Sequence, residues 1–143
     1  MYTIGMAAKD AIHDKVRQAL VNDGWTILAE HYTIKYGDDQ VFVDLAAQQS
    51  ITAEKAGRKI MVEVKSFSGR SAIQDLKVAV GQYMIYLPLL ADTEPDYKLY
   101  LAISEFTYRS DFQRDIIKLV VERNAIPLII VNLEKEEIVQ WIR

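Results

Sequence analysis

The sequence contains no cysteine, two histidines, six glycines and three prolines among its 143 residues. The missing cysteines exclude a disulfide scaffold, a Cys-ligated zinc site, an iron–sulfur cluster and a cysteine nucleophile, and they fit a reducing compartment. Two histidines without cysteine argue against a zinc site of familiar type. Sparse glycine and proline exclude a collagen-like or low-complexity chain. Long apolar runs are missing too. Runs such as the five residues from Pro127 to Val131 fall far below the roughly 18 needed to span a bilayer. The opening MYTIGMAAKD has neither the basic start nor the apolar stretch of a signal peptide. These absences predict a soluble, cytoplasmic protein with no membrane association.

Half of the residues are apolar and 26% are charged. A chain near this length buries about 68 to 70% of its unfolded surface, enough for one hydrophobic core. No repeat, linker or biased tract divides it, so residues 1–143 are expected to form a single domain. The net charge is −3, from 17 Lys and Arg against 20 Asp and Glu, which argues against a generic nucleic-acid coat. Residues 51–80 run the other way. They hold Lys55, Arg58, Lys59, Lys65, Arg70 and Lys77 against Glu54, Glu63 and Asp75. Ordinary fluctuation within a 30-residue window accounts for that excess equally well.

The pattern of elements begins with an amphipathic helix from Ala8 to Asn22, with Ile12, Val16, Ala19 and Leu20 at helical spacing and Asp23-Gly24 as its stop. Strands are expected at Trp25 to Ile34, Val41 to Ala46 and Lys59 to Phe67. In the third, Ile60, Val62 and Val64 point to one face and Met61, Glu63 and Lys65 to the other. Ser71 with Gln74 has capping-box spacing for a second helix, striped by Ile73, Leu76, Val80, Tyr83 and Leu87 and expected to end at Pro88. A strand at Lys98 to Ile103 follows. A helix from about Ser110 to Asn124 then has Phe112, Ile116, Leu119 and Val120 inward. Strands at Leu128 to Asn132 and Ile138 to Ile142 close the chain as a hairpin. The order describes an α/β protein with a mixed sheet and helices on its faces.

Three charged residues sit where apolar ones are expected: Asp44 in one strand, then Glu63 and Lys65 two apart on the next. A charge within a strand of a small sheet costs several kcal/mol unless it is paired or bound to a metal. Carboxylates from neighbouring strands can share Mg²⁺ or Mn²⁺, which leaves positions open for water and phosphate. The Lys65 ammonium can then orient water and balance charge on a phosphorane-like transition state. This is the arrangement of a phosphodiesterase. The alternative is structural, a Glu63–Lys65 salt bridge on an exposed sheet face with Asp44 at a strand end. Gln82 and Tyr86 share a helix face at i and i+4, as functional groups or as boundary residues. His13 and His31 have no partner that the sequence assigns. No phosphate-binding glycine loop and no serine elbow is present.

Asp44, Glu63-Val64-Lys65 and Gln82-x-x-x-Tyr86 in that order resemble the PD-(D/E)XK nuclease superfamily, whose core runs helix, three strands, helix, strand. The resemblance narrows over KDAIHDKVRQAL with DGW, AEKAGRKIMVEVKSF, GQYMIY and EKEEIVQWI, which together look like the XisH family, the fdxN element excision controlling factors of cyanobacteria. It implies a restriction-endonuclease-like αβββαβ core with an added helix and a C-terminal hairpin. It makes Asp44 and Glu63 metal ligands for Mg²⁺ or Mn²⁺, Lys65 the catalytic lysine, and Gln82 with Tyr86 the helix motif. His13 falls where many superfamily members carry a helix glutamate, which makes it a candidate catalytic residue acting on water or phosphate, and Val43 stands where the motif has proline. The family further implies DNA as partner, together with a companion factor, XisI, and a site-specific recombinase, in the rearrangement that accompanies heterocyst differentiation. The expected activity is a divalent-metal-dependent DNA endonuclease, with a non-catalytic accessory protein that regulates the recombinase as the alternative. Superfamily nucleases often pair subunits to cut two strands, so a homodimer is expected.

Overall fold

The structure is a computed structural model that describes the backbone of residues 2–30, 33–36, 41–44 and 50–143, and the side chains of residues 11–30, 36 and 51–143. Helix α1 spans Tyr2–Asn22 and starts earlier than its apolar spacing indicates. Its end is a Schellman motif. Trp25 N–H donates to Leu20 O and Gly24 N–H to Val21 O, with Gly24 at φ +94°, the left-handed turn that glycine adopts without penalty.

The expected strand from Trp25 to Ile34 divides into β1 (Thr26–Glu30) and β2 (Thr33–Tyr36), and these belong to different sheets. Among the described residues, strand β2 pairs with β3 (Val41–Asp44) in a two-stranded sheet. The main sheet has six strands in the order β1-β4-β5-β6-β7-β8. Strand β4 (Ser50–Lys55) carries no signal strong enough to predict it, because Gln48, Gln49, Ser50, Thr52 and Glu54 dilute its apolar alternation. It forms a hairpin with β5 (Arg58–Val64) around Ala56-Gly57. Strands β5, β6 (Tyr97–Ser104) and β7 (Leu128–Asn132) are parallel, and β8 (Glu137–Ile142) closes the far edge antiparallel to β7. With the β2–β3 hairpin set aside as an insertion, α1, then β1, β4 and β5, then α2 and β6 reproduce the helix, three-strand, helix, strand order. The mixed α/β fold is therefore as expected, but its three leading strands are not the three that the sequence suggests.

Two hydrophobic layers sandwich the sheet. Val16, Ala19 and Leu20 of α1 pack on Ile60, Val62, Val64, Tyr100 and Ala102. Helix α2 (Ala72–Thr93) and helix α4 (Asp115–Arg123) cover the opposite face, with Met61, Leu99, Leu101 and Ile103. Both crossovers lie on one side because parallel β–α–β connections are right-handed.

Three expectations are corrected here. Pro88 does not end α2, which continues to Thr93. Pro88 and Met84, whose carbonyl loses its helical donor, both lie on the exposed face, where water can replace the missing bond. The buried stripe of α2 is Leu76, Ala79, Tyr83, Tyr86 and Leu90, while Leu87 is exposed. The expected helix from Ser110 is three pieces: α3 (Glu105–Arg109), a 3-10 turn (Asp111–Gln113) and α4. Arg114 at ψ 138° interrupts the helix and resets its phase, so Ile117 and Val121 turn inward and Ile116 and Leu119 outward. No helix among the described residues is long and apolar enough to cross a membrane.

Candidate functional site

Glu63 lies on the central strand β5, opposite Ser50 of β4 and Leu101 of β6. Strand alternation sends Ile60, Val62 and Val64 toward α1 and Met61 with Glu63 toward the α2 layer, and the two core clusters divide in the same way. Glu63 is 4% exposed. Its Oε2 stands 3.8 Å from Lys65 Nζ. That is ion-pair range but beyond a hydrogen bond, and no described donor lies within hydrogen-bond reach of this oxygen. Burial pushes the Glu63 carboxyl up to about 8, against the pull of the neighbouring Lys65 charge. A surface salt bridge is excluded by this burial. The pair is a desolvated acid beside an ammonium.

Lys65 follows the last residue of β5 and extends the ladder, its amide donating to Ala102 O at 3.0 Å. The loop after it is fastened at several points. Phe67 adopts φ +51°, uncommon for a residue with a bulky side chain, and its ring packs edge-on against Phe112 at 5.0 Å between centroids. Ser66 and Ser68 share a hydroxyl hydrogen bond of 2.8 Å. Gly69 N–H donates to Asp75 Oδ2 at 2.9 Å, and a Cβ at Gly69 would stand 2.5 Å from Asp75 Oδ1. Ser71 caps α2 by accepting from Gln74 N–H at 3.2 Å. The loop thus holds Lys65 between a strand and a capped helix.

The other candidate residues are placed as follows. Asp44 ends β3, outside the six-stranded sheet, and its side chain lies outside the described residues. Strand β3 is therefore not the neighbour of β5, although residues 45–49 lead from Asp44 to Ser50, which pairs with Glu63. Gln82 is half-buried and Tyr86 buried on α2, the helix over the Glu63 face. Tyr86 belongs to the core stripe and is not displaced from it, because 76, 79, 83, 86 and 90 form the inward row. His13 is buried on α1, over the opposite face of the sheet from Glu63, and its Nε2 lies 2.8 Å from Glu30 Oε1. Arg17 Nε donates to the second oxygen of Glu30 at 3.1 Å. Burial raises the Glu30 carboxyl, but the hydrogen bond and charge of His13, with the charge of Arg17, outweigh it and hold Glu30 below its ordinary value. His31 lies outside the described residues.

Several features escaped the sequence. The role of Glu30 is invisible without tertiary contacts. A cavity of about 610 Å³ opens beside the loop that follows Lys65, at the C-terminal ends of β6 and β7, between Ser66, Phe67, Glu105, Phe106, Arg109 and Asn132. Open α/β sheets bind ligands at that end of their strands, which is the one signal that could have located it. The basic excess of residues 51–80 forms no single patch. Lys55, Arg58 and Lys59 sit at the β4–β5 turn, where Lys55 pairs with Asp23, while Lys65 and Arg70 lie beyond the other end of β5.

Glu63 fits a divalent cation as a buried carboxylate oxygen without a described hydrogen-bond donor. Such an oxygen carries the desolvation cost that a bound cation would relieve. Among the described residues no three His, Asp or Glu side chains converge, so the rest of a coordination shell would come from Asp44, water or a substrate phosphate.

A model of the XisH protein family matches residues 6–139. The fold is similar to that of an XisH family protein from Nostoc punctiforme PCC 73102, at 38% identity and a TM-score of 0.85 over 93% of this chain and 99% of that one. It is equally similar to an fdxN element excision controlling factor protein from Anabaena variabilis, at 39% identity and a TM-score of 0.86 over 94% of this chain and 99% of the other. No curated protein matches.

Proposed function

This chain belongs to the XisH family, and from that membership we propose that it is a controlling factor for excision of the fdxN DNA element, acting as a divalent-metal-dependent DNA endonuclease of PD-(D/E)XK type. The observation that carries the reading is the desolvated Glu63 carboxylate with Lys65 Nζ at 3.8 Å, at the end of a central strand. A sheet buries such a pair at considerable cost, and a phosphodiesterase has use for both groups.

In this reading Glu63 and Asp44 hold Mg²⁺ or Mn²⁺, which would supply Lewis acidity toward a phosphate oxygen and a nucleophile at neutral pH. Lys65 donates a hydrogen bond to the attacking water or to a non-bridging phosphate oxygen, and its charge offsets the negative charge that builds at phosphorus. Fixing the following loop through Phe67, Gly69 and Ser71 keeps that ammonium in position, which matters because a misplacement near 1 Å can cost about 100-fold in rate. Gln82 and Tyr86 lie on the helix that covers this face. Tyr86, as part of the core, serves by orienting that helix, and Gln82 is the nearer to solvent. His13 holds Glu30 and the edge strand. The lack of cysteine suits a reducing cytoplasm.

The second reading is a non-catalytic partner of XisI and the recombinase. It is favoured by the net charge of −3 and by the split of the basic residues between the two ends of β5, since unassisted DNA affinity rests on phosphate neutralisation. Calorimetric titration of Mn²⁺, alone and with DNA present, separates the two. The endonuclease reading predicts saturable binding that is lost in Asp44→Ala and in Glu63→Ala. No binding under either condition, with tight association to the companion factor, would establish the accessory reading instead.

A further inference from the structure

At the other end of β5 from Glu63 and Lys65, on the opposite face of the sheet, a small cavity of about 180 Å³ lies between Trp25, Trp141, Lys55, Arg58 and Arg143. Strand alternation gathers its cations. Lys55 shares a face with Ile51 and Ala53, Arg58 with Ile60 and Val62, and Lys98 with Tyr100 and Ala102, all in the layer under α1. Arg143 follows β8, whose Trp141 packs on the same layer. Four cations thus meet at one corner, and two of them, Lys98 and Arg143, lie outside the basic stretch of the sequence.

Aromatic rings, rather than carboxylates, position two of these cations. The Arg143 guanidinium carbon stands 5.5 Å from the centre of the Trp141 ring, and its Nη1 donates to Tyr100 Oη at 2.7 Å. Lys98 Nζ stands 5.4 Å from the centre of the Tyr100 ring. Trp141 is itself braced by Tyr100, edge-on at 5.2 Å, and by Trp25 at 5.7 Å. A ring attracts a cation through its quadrupole but brings no net charge, so it fixes the cation without neutralising it. Among the described residues no carboxylate lies within ion-pair distance of Arg58, Lys98 or Arg143. Asp23, the acid that lines the cavity, is already engaged. Its Oδ2 accepts from Trp25 Nε1 at 3.1 Å and pairs with Lys55 Nζ at 3.6 Å, and Lys55 also donates to Asp23 O. Along the strands the neighbouring acids are Glu54, on the other face, and Asp96, just before β6. Three uncompensated cations therefore surround one cavity in a chain of net charge −3.

We propose that this corner is a phosphate-binding site, separate from the Glu63–Lys65 end and independent of whether that end cuts DNA. Arg58 and Arg143 supply the forked N–H donors that match phosphate oxygens, and Lys98 adds charge at the rim. At about 30 Å³ per water the cavity has room for about six waters. That suffices for a phosphate group but falls below the roughly 300 Å³ at which pockets enclose a whole small molecule. The ligand is accordingly inorganic phosphate, or a nucleic-acid backbone phosphate whose chain continues outside the cavity.

The test uses the full chain carrying Lys65→Ala, with a chelator present, so that the site at the other end of β5 contributes equally to every measurement. Two probes are titrated in about 100 mM salt, where charges more than about 10 Å apart are screened. One is inorganic phosphate to about 10 mM by calorimetry, above the millimolar Kd of a weak site. The other is a labelled single-stranded oligonucleotide, followed by fluorescence anisotropy. Binding of at least one probe is expected, and the one that binds identifies the source of the phosphate. Arg58→Glu and Arg143→Glu, both at exposed positions, are each expected to weaken binding about 10-fold or more. Lys118→Glu, the same change of charge on α4, is expected to alter it less than about 3-fold. Tyr100→Phe keeps the ring and the charge but releases Arg143, and is expected to weaken binding about 3-fold or more. No binding of either probe by the parent chain would overturn the proposal. So would Arg58→Glu and Arg143→Glu doing no more than Lys118→Glu, or Tyr100→Phe binding as tightly as its parent.

Discussion

Replacing Glu63 by glutamine should stabilise this protein at alkaline pH, and the size of the effect follows from the burial of that carboxyl. Its folded-state value is pushed up to about 8 from an ordinary 4.5. Below pH 4.5 Glu63 is neutral in both states and adds no pH dependence. Between 4.5 and about 8 the unfolded chain has released the proton that the folded chain keeps, so stability falls as pH rises, by at most about 1.4 kcal/mol per pH unit. Across the window this amounts to several kcal/mol. The substituted amide cannot ionise and occupies nearly the same volume, so it escapes the penalty. Thermal melts of wild type and Glu63→Gln in chelator-treated buffer should therefore nearly coincide at pH 5 and separate as pH rises, with the variant higher. At roughly 2 to 6 °C per kcal/mol for a domain of this size, the gap at pH 8 should be about 10 °C. The other titrating groups are common to both proteins and cancel in the difference. Mn²⁺ should then raise the wild-type midpoint at pH 8 and leave that of the variant unchanged, because a ligand stabilises only the state that binds it. Parallel melting curves from pH 5 to 8.5 would refute the argument, since they would mean that the carboxyl is not desolvated. A lower midpoint for the variant at pH 8 would refute it as well.

Other perturbations act on the supports of the site. Lys65→Ala should fold normally, because the backbone amide of Lys65 makes the bond to Ala102, and should lower metal-dependent cleavage by about 100-fold or more, read as the initial rate of nicking. Gly69→Ala puts a Cβ 2.5 Å from Asp75 Oδ1, so it should lose about 1 to 3 kcal/mol in urea denaturation, and Asp75→Ala combined with it should cost less than the two changes added separately. Glu30→Gln should destabilise the protein at neutral pH. Because the Glu30 carboxyl is held below its ordinary value, its contribution is present above pH 4.5 and is lost as pH falls through the folded value, so the two melting curves should converge in acid. Phe112→Ala removes a buried ring and the support of Phe67, and should cost about 3 to 5 kcal/mol.

What could be read from the sequence, and what could not, divides along physical lines. The alternation in β5 was legible because one face is uniformly β-branched, and with it the placing of Glu63 among apolar neighbours. The cap at Ser71 and the turn at Gly24 were legible because they depend on single residues. Strand β4 was not, since only Ile51 and Ala53 are apolar among its six residues and its pairing with both β1 and β5 supplies the order that propensity lacks. Missing it put β3 and Asp44 next to β5, whereas β3 pairs with β2. The outward turn of Leu87, Ile116 and Leu119 was hidden for a different reason. An apolar residue on a helix reads as inward, and a helix apolar on two sides, or one interrupted at Arg114, defeats that rule. Glu30 was hidden because its partners, His13 and Arg17, lie 17 and 13 residues away along the chain. The pairing of Glu63 with Lys65 was visible as a spacing, but its burial, from which the chemistry follows, required the sheet.

The most direct measurement is cleavage of supercoiled and branched DNA by the purified chain with Mg²⁺ or Mn²⁺, beside Glu63→Gln and Lys65→Ala. The account predicts nicking by wild type that a chelator abolishes, and none above background from either variant, although Glu63→Gln melts higher than wild type at pH 8. Cleavage undiminished in Glu63→Gln, or a wild type that binds the companion factor yet cuts no DNA with either metal, would contradict it.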